Sequence, residues 1–286
     1  QKERPIIYNL REVFMFKSLR IQKSFFLSLV FIISIGCAST SEKKEPQTDE
    51  DFFNKAMELY KKNDYWQAAP TFTELRDKFP LSRYAVIAEL RLADIHYFKA
   101  EYIEAIHFYE EFKRLHPSNP DVPYAILQLG MCNFKQIELI DRDQTPAENA
   151  ANYFYYLITH YPTSPFTGIA MGKYKICRER MFAHDFYIGS FYYKTKEYWA
   201  AKERFLEILP HYPYVREKDK VFFYLGNTYL QLNEEKKAKD TLLKLIEDFP
   251  QSEYRAEAKF LIGIPLEPEE KEQLKMKQKK KRFIIF

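Results

Sequence analysis

The side chains able to do chemistry are few and scattered along this chain. Six histidines, at 96, 107, 116, 160, 184 and 211, are spread over 286 residues. His96 and His107 lie eleven residues apart, about three turns at 3.6 residues per turn, too far to share one ion. His116, His160 and His211 each lie within three residues of a proline, where a polar helix end accounts for them. Cys132 and Cys177 have no C-x-x-C or Cys/His cluster beside them, so a zinc site has no support. Both fall in helical patterns and read as buried thiols, with pairing in an oxidising compartment as the alternative. No phosphate loop (G-x-x-x-x-G-K-[ST]), metalloprotease H-E-x-x-H or nucleophile elbow G-x-S-x-G is present. The residues point away from catalysis, a metal or a cofactor and toward binding.

Cys37 is different, because its context carries a chemistry of its own. Lys17, Arg20 and Lys23 precede an apolar run of eleven residues, Phe25 to Ile35, and Gly36-Cys37 follows. Eleven helical residues at about 1.5 Å rise cannot cross a hydrocarbon core of about 30 Å, so the run reads as a secretory signal. Met15 reads as the start, with residues 1–14 as upstream sequence. Ser34-Ile35-Gly36-Cys37 resembles a bacterial lipobox, in which the cysteine is acylated and becomes the new N-terminus. The alternative is an ordinary signal with an incidental cysteine. The polar stretch 37–50 then serves as a flexible tether. Ala38 and Ser39 are not aspartate, which directs such a lipoprotein to the outer membrane.

The elements that must position any binding residues are helices. Seven glycines are too few for Rossmann or β-barrel turns, whereas 22 Tyr and 25 Phe supply dense packing material. The formal charge of +4 sits at the ends: residues 37–268 carry 31 basic and 35 acidic side chains, so no broad basic face is left for nucleic acid. A ladder of small residues and prolines organises the body. Ala56-Ala68-Pro80, Ala93-Ala105-Pro117, Gly189-Ala201-Pro213 and Gly226-Ala238-Pro250 are each spaced 12 and 12, with an intrinsic period of 37. Gly130-Ala150-Pro162 is the third rung, with eight extra residues before its alanine. Antiparallel helices cross closely only where both are small, and the proline ends the second helix. Tyr65, Tyr102 and Tyr198 precede the alanines by three, and Phe72, Tyr109, Phe154 and Phe205 follow by four.

This pattern resembles the tetratricopeptide repeat. It implies an all-α, right-handed superhelical solenoid of five helix pairs at about 51–80, 84–117, 121–162, 166–213 and 217–250. A capping helix runs to 262, and a Lys-rich tail covers 263–286. Fourteen extra residues before Gly189 are almost four turns, so the first helix of repeat four is expected to be elongated, over Phe166 to Lys194. Thr145, ahead of Pro146 and Glu148, reads as a helix N-cap. Together with the Asp141–Pro146 loop and the stretch His160–Phe166, these features resemble the BamD family, lipoproteins of the outer-membrane β-barrel assembly machine. The resemblance spans 37 to about 262. It implies a lipid anchor on the periplasmic face of the outer membrane. It also implies a barrel-forming subunit with periplasmic domains, other assembly lipoproteins and unfolded outer-membrane proteins as partners.

Counting from each crossing residue picks the side chains expected to line the concave face. They are Phe53, Met57 and Tyr60 in repeat one, then Ile87, Leu90, Tyr97 and Phe98, then Tyr124, Leu127, Met131 and Phe134. Repeat four gives Phe186, Ser190, Tyr193 and Lys194, and repeat five Lys220, Phe223, Asn227 and Gln231. The first three faces are the more apolar. Phe53, Met57, Tyr60, Tyr97, Phe98, Tyr124, Met131 and Phe134 are therefore the candidate groove for an aromatic-ended peptide, unless they pack between repeats. Tyr193, Lys194, Lys218, Lys220, Phe223 and Asn227 form the candidate partner face. The alternative function, a cell-envelope organiser of the Tol–Pal or peptidoglycan-associated type, calls for a coiled-coil heptad pattern that the chain lacks.

Overall fold

Each pair of small residues in the ladder marks a helix crossing. Ala68, Ala105, Ala150, Ala201 and Ala238 are all fully buried. A Cβ placed on Gly130 would come 2.5 Å from the Phe154 ring, one on Gly189 2.7 Å from Phe205, and one on Gly226 2.6 Å from Leu242. The residue four after each alanine thus fills the space that the preceding helix leaves open at its small residue. The computed structural model describes residues 46–284. From residue 47 on, the described residues form one compact unit, and every buried core residue described in it lies between Phe52 and Leu274.

Among the described residues there are twelve helices and no strands. Five antiparallel pairs make up the ladder: α1 Asp49–Lys61 with α2 Tyr65–Lys78, α3 Arg83–Phe98 with α4 Tyr102–Leu115, and α5 Val122–Lys135 with α6 Thr145–His160. The fourth and fifth are α7 Thr167–Lys194 with α8 Tyr198–His211, and α9 Lys218–Gln231 with α10 Glu235–Asp248. Two more helices follow, α11 Arg255–Leu261 and α12 Pro268–Ile284. Each helix packs on its neighbours in sequence. The elongated helix of repeat four is α7, with 28 residues.

The prolines work as their chemistry dictates. The second helices stop two residues before Pro80, Pro117, Pro162, Pro213 and Pro250. In each case the intervening residue, for example His116 at φ −124° and ψ 54°, leaves the helical region that a following proline disfavours. The turns inside four of the pairs use a left-handed residue: Asn63, Ala100, Lys196 and Asn233, at φ 59–67° and at one register of the repeat. Each closes the first helix with a Schellman-type pair of bonds, such as Asp64 N–H to the Leu59 carbonyl and Asn63 N–H to that of Tyr60.

Three expectations are corrected. The tether does not extend to residue 50. Thr48 and Asp51 form a capping box, each side chain accepting from the other's backbone N–H, and this starts α1 at Asp49. Thr145 is not an N-cap but the first residue of α6; Gln144 holds the N-cap position and its side chain makes no capping bond. Asp143 binds both the Thr145 amide, at 3.1 Å, and its hydroxyl, at 2.8 Å. The segment after 263 is no loose tail, since residues 268–284 form α12, docked on α11 through Glu270 and Leu274.

Candidate functional site

The candidate groove is built around a residue absent from the expected set, although it stands in a register that the set draws on. Asp94 stands one position after the crossing Ala93 on α3, where repeats one and three have Met57 and Met131. Its side chain is only 1% exposed. Three tyrosine hydroxyls donate to it: Tyr109 at 2.6 Å, Tyr124 at 2.8 Å and Tyr60 at 3.3 Å. The Arg91 guanidinium adds a fourth contact at 2.5 Å. These partners come from α1, α3, α4 and α5, so one carboxylate ties repeats one, two and three together. Burial, and then the charge of Asp94, push the hydroxyls of Tyr60, Tyr109 and Tyr124 above their ordinary range. The signal in the sequence is an acidic residue at a position that the other repeats fill with Met57, Met131, Ser190 and Asn227.

Aromatic side chains flank this knot. Phe98, half exposed, stacks on Tyr65 with centroids 5.5 Å apart and planes 10° from parallel, and tilts against Tyr60 at 6.2 Å. Tyr97 meets Tyr102 edge-on at 5.8 Å. Arg91 lies 5.8 Å from the Tyr60 ring centre and keeps 28% of its side chain exposed. Half-buried Phe53, Met57 and Tyr60 pack on the core of repeats one and two, whereas Tyr97, Tyr124, Met131 and Phe134 pack on that of repeats two and three. Phe134 also lines a cleft of about 420 Å³ with Ile137 on one side and Ile176, Glu179, Arg180 and Ala183 of α7 on the other.

The counting rule is corrected at several positions. Leu90, Leu127, Ser190 and Phe223 are buried and so line no open face. Phe223 stacks on Tyr254 at 4.7 Å, as Phe53 stacks on Tyr84 at 4.6 Å in the same register of repeat one. One of these side chains is expected in the groove and the other on the partner face, yet both are bolts between successive repeats. Ser82 bonded to Asp49 and Ser252 bonded to Asp219, at 2.7 and 2.6 Å, repeat the same equivalence.

The candidate partner face is also less available than expected. Lys220 pairs with Glu217 and sits over the rings of Phe182 and Phe186, 5.1 and 4.7 Å from their centres. Its charge is spent within the fold. The Lys218 ammonium donates to the Pro213 carbonyl at 2.6 Å. Asn227 bonds the Phe223 carbonyl at 2.9 Å, and Tyr193 packs edge-on against Tyr224. Lys194 alone of this set is exposed.

The remaining chemistry-bearing residues serve the fold. Cys132 and Cys177 are free and buried, and burial pushes both thiols up to about 12. His96 contacts Glu101 and His116 contacts Glu89, both at 2.7 Å. No group of three metal-ligating side chains occurs among the described residues, nor is any helix there long and apolar enough to cross a membrane. Cys37 and the signal-like segment lie outside the described residues.

Comparison with known proteins places the chain. The outer membrane protein assembly factor BamD of Haemophilus influenzae is 25% identical over 201 residues, covering 67% of this chain and 77% of that protein. Its counterpart in Rickettsia prowazekii is 26% identical over 190 residues, covering 65% and 76%. That of Neisseria gonorrhoeae is 24% identical over 205 residues, covering 66% and 77%. Among solved structures, a tetratricopeptide repeat protein from Parabacteroides merdae is 16% identical with a TM-score of 0.34, covering 76% of this chain and 75% of its own. The family described as YfiO, outer membrane lipoprotein, matches residues 45–245. The chain belongs to that family.

Proposed function

We propose that this chain is a non-enzymatic scaffold lipoprotein in outer-membrane protein assembly. Repeats one to three receive the aromatic-ended C-terminal segments of unfolded outer-membrane proteins, and repeats four and five hold a barrel-forming partner subunit. The observation that carries the reading is the partly exposed aromatic cluster of Tyr60, Tyr65, Tyr97 and Phe98 beside the Asp94–Arg91 knot. An aromatic side chain added there exchanges water for ring contacts on three sides, worth about 1–3 kcal/mol per ring. Lys194 and Gln231, exposed on the later repeats, offer no such exchange. A photo-crosslinking amino acid at Phe98 or Tyr97 should capture peptides ending in phenylalanine, and one at Gln231 should not. Crosslinks spread evenly along the repeats, or confined to the C-terminal ones, would refute this division. The lipid belongs on Cys37, and an intact mass showing acyl chains there is the expected result. Pull-down from solubilised membranes should bring a β-barrel protein with the chain.

A further inference from the structure

The sequence of α12 divides into two halves of different chemistry. The first half is a clamp. The Glu270 carboxylate, only 8% exposed as a residue, takes the Lys259 ammonium at 2.8 and 2.9 Å, the Arg255 guanidinium and the Glu267 amide at 3.0 Å. Burial alone would raise that carboxyl, but Lys259, the Glu267 amide and Arg255 together outweigh it and hold it below its usual range. Leu274 is buried one turn later, and Lys277 reaches back to Glu253 and over the Tyr254 ring. Positions 270, 274 and 277 share one helical face at 3.6 residues per turn, so the clamp fixes that face against α11.

The second half presents charge that its own segment does nothing to neutralise. Residues 273–286 contain six basic side chains, Lys275, Lys277, Lys279, Lys280, Lys281 and Arg282, and no acidic one. Lys275, Met276 and Lys279 are exposed on the side away from the clamp, and neither Lys275 nor Lys279 has an acidic partner among the described residues. Phe283-Ile284-Ile285-Phe286 follows directly on four consecutive basic residues. A cationic block next to a short apolar block matches the layering of a phospholipid surface, anionic headgroups above acyl chains. A nucleic acid or an acidic protein would answer the lysines but give the isoleucines nothing to bury against.

We propose that the basic half of α12 is a membrane-surface contact that binds anionic phospholipid, with the Glu270 clamp orienting it. The test uses residues 47–286, the compact unit with its own core, and vesicles of phosphatidylcholine with or without about a third phosphatidylglycerol. The unit should co-sediment with the anionic vesicles only, and release as salt rises to about 0.5 M. Changing Lys275, Lys279, Lys280, Lys281 and Arg282 together to glutamine should lower partitioning on the order of 100-fold. Glutamine at Lys236, Lys239 and Lys244, exposed lysines of α10, should change it less than about threefold. Phe283→Ser with Ile284→Ser should weaken binding on the order of tenfold at unchanged salt dependence. Unaltered melting of each variant shows that the fold has been kept. Binding neutral and anionic vesicles alike, binding neither, equal loss from the α10 control, or preference for single-stranded nucleic acid or polyglutamate over vesicles would each overturn the proposal. Because none of these readouts involves peptide capture by repeats one to three, their failure leaves that reading standing.

Discussion

Asp94 concentrates more of the fold's polar chemistry than any other side chain described. Four donors from four helices converge on it, and removing the carboxylate leaves Tyr109 and Tyr124 with buried hydroxyls and Arg91 with an uncompensated charge. Asp94→Ala should therefore cost on the order of 3–5 kcal/mol in urea unfolding followed by circular dichroism, the range for breaking a buried pair from one side. Tyr109→Phe, which removes one donor, should cost about 1–3 kcal/mol. A loss under about 1 kcal/mol for Asp94→Ala would mean that water replaces the carboxylate freely. The same knot sets a pH limit. The tyrosine hydroxyls are held above their ordinary value of 10.0, and the two thiols rise from 9.0 to about 12. In each case the folded state favours the protonated form. The stabilisation is complete below the unfolded values and is lost as pH rises through the folded ones. The urea midpoint should start to fall above about pH 9, as the thiols and then the tyrosines are forced to ionise. A midpoint unchanged to pH 11 would remove these groups from the stability of the fold.

At the level of elements, the glycines separate crossing sites from ordinary helix surface. Gly130 faces the Phe154 ring, but a Cβ added to Gly168 or Gly172 on α7 would have nothing within 4 Å of it. Gly130→Ala should lose about 1–3 kcal/mol through overpacking. Gly168→Ala or Gly172→Ala should gain about 0.5–1 kcal/mol from helix propensity alone. Thermal unfolding of the three variants checks both signs, and a stabilised Gly130→Ala would mean that the crossing is looser than the structure has it. This contrast also shows what is legible in the sequence. The crossings are legible because sterics demand a small residue at fixed spacing, and the helix ends because proline imposes a rule on its neighbour. The turn residues are not. Ala100 and Lys196 adopt the left-handed conformation without the glycine that usually announces it, since the Schellman bonds and the packing of both helices impose the geometry. Asp94 escapes notice for a related reason: apart from Arg91, three positions away, its partners lie 15, 30 and 34 positions away, and nothing local marks the three tyrosines that converge on it. The α12 helix is hidden because, of the three residues that dock it at helical spacing, Glu270, Leu274 and Lys277, only Leu274 is apolar, so no amphipathic signal marks the docked face.

Across the described residues the core is a row of four clusters. The first covers repeats one and two; the second, repeats two and three as far as Cys177; the third, repeats four and five from Phe182; and the fourth, α9 to α11. Neighbouring clusters share a few half-buried side chains: Phe108 between the first two, Met181 between the second and third, Tyr224 and Leu230 between the last two. The long helix α7 carries the junction between the N-terminal and C-terminal clusters, with Cys177 in one core, Phe182 in the next and Met181 packed against both. Stability in such a row is a sum of local terms and nearest-neighbour couplings. A loss in one cluster should therefore weaken its neighbour and fade beyond it. Phe72, fully buried in the first cluster, tests this, since Phe72→Ala removes about 3–5 kcal/mol locally. Amide hydrogen exchange in α1 and α2 should accelerate strongly, in α3 and α4 moderately, and in α9 and α10 not at all. Phe205→Ala, on the other side of α7, should show the mirror pattern and leave α1 and α2 protected. Equal acceleration throughout would mean that the repeats unfold as one unit. Local loss matters for the proposed division of labour, because strain from a peptide bound at Phe98 would reach repeats four and five only through α7. The two ends could then hold different partners with little interference.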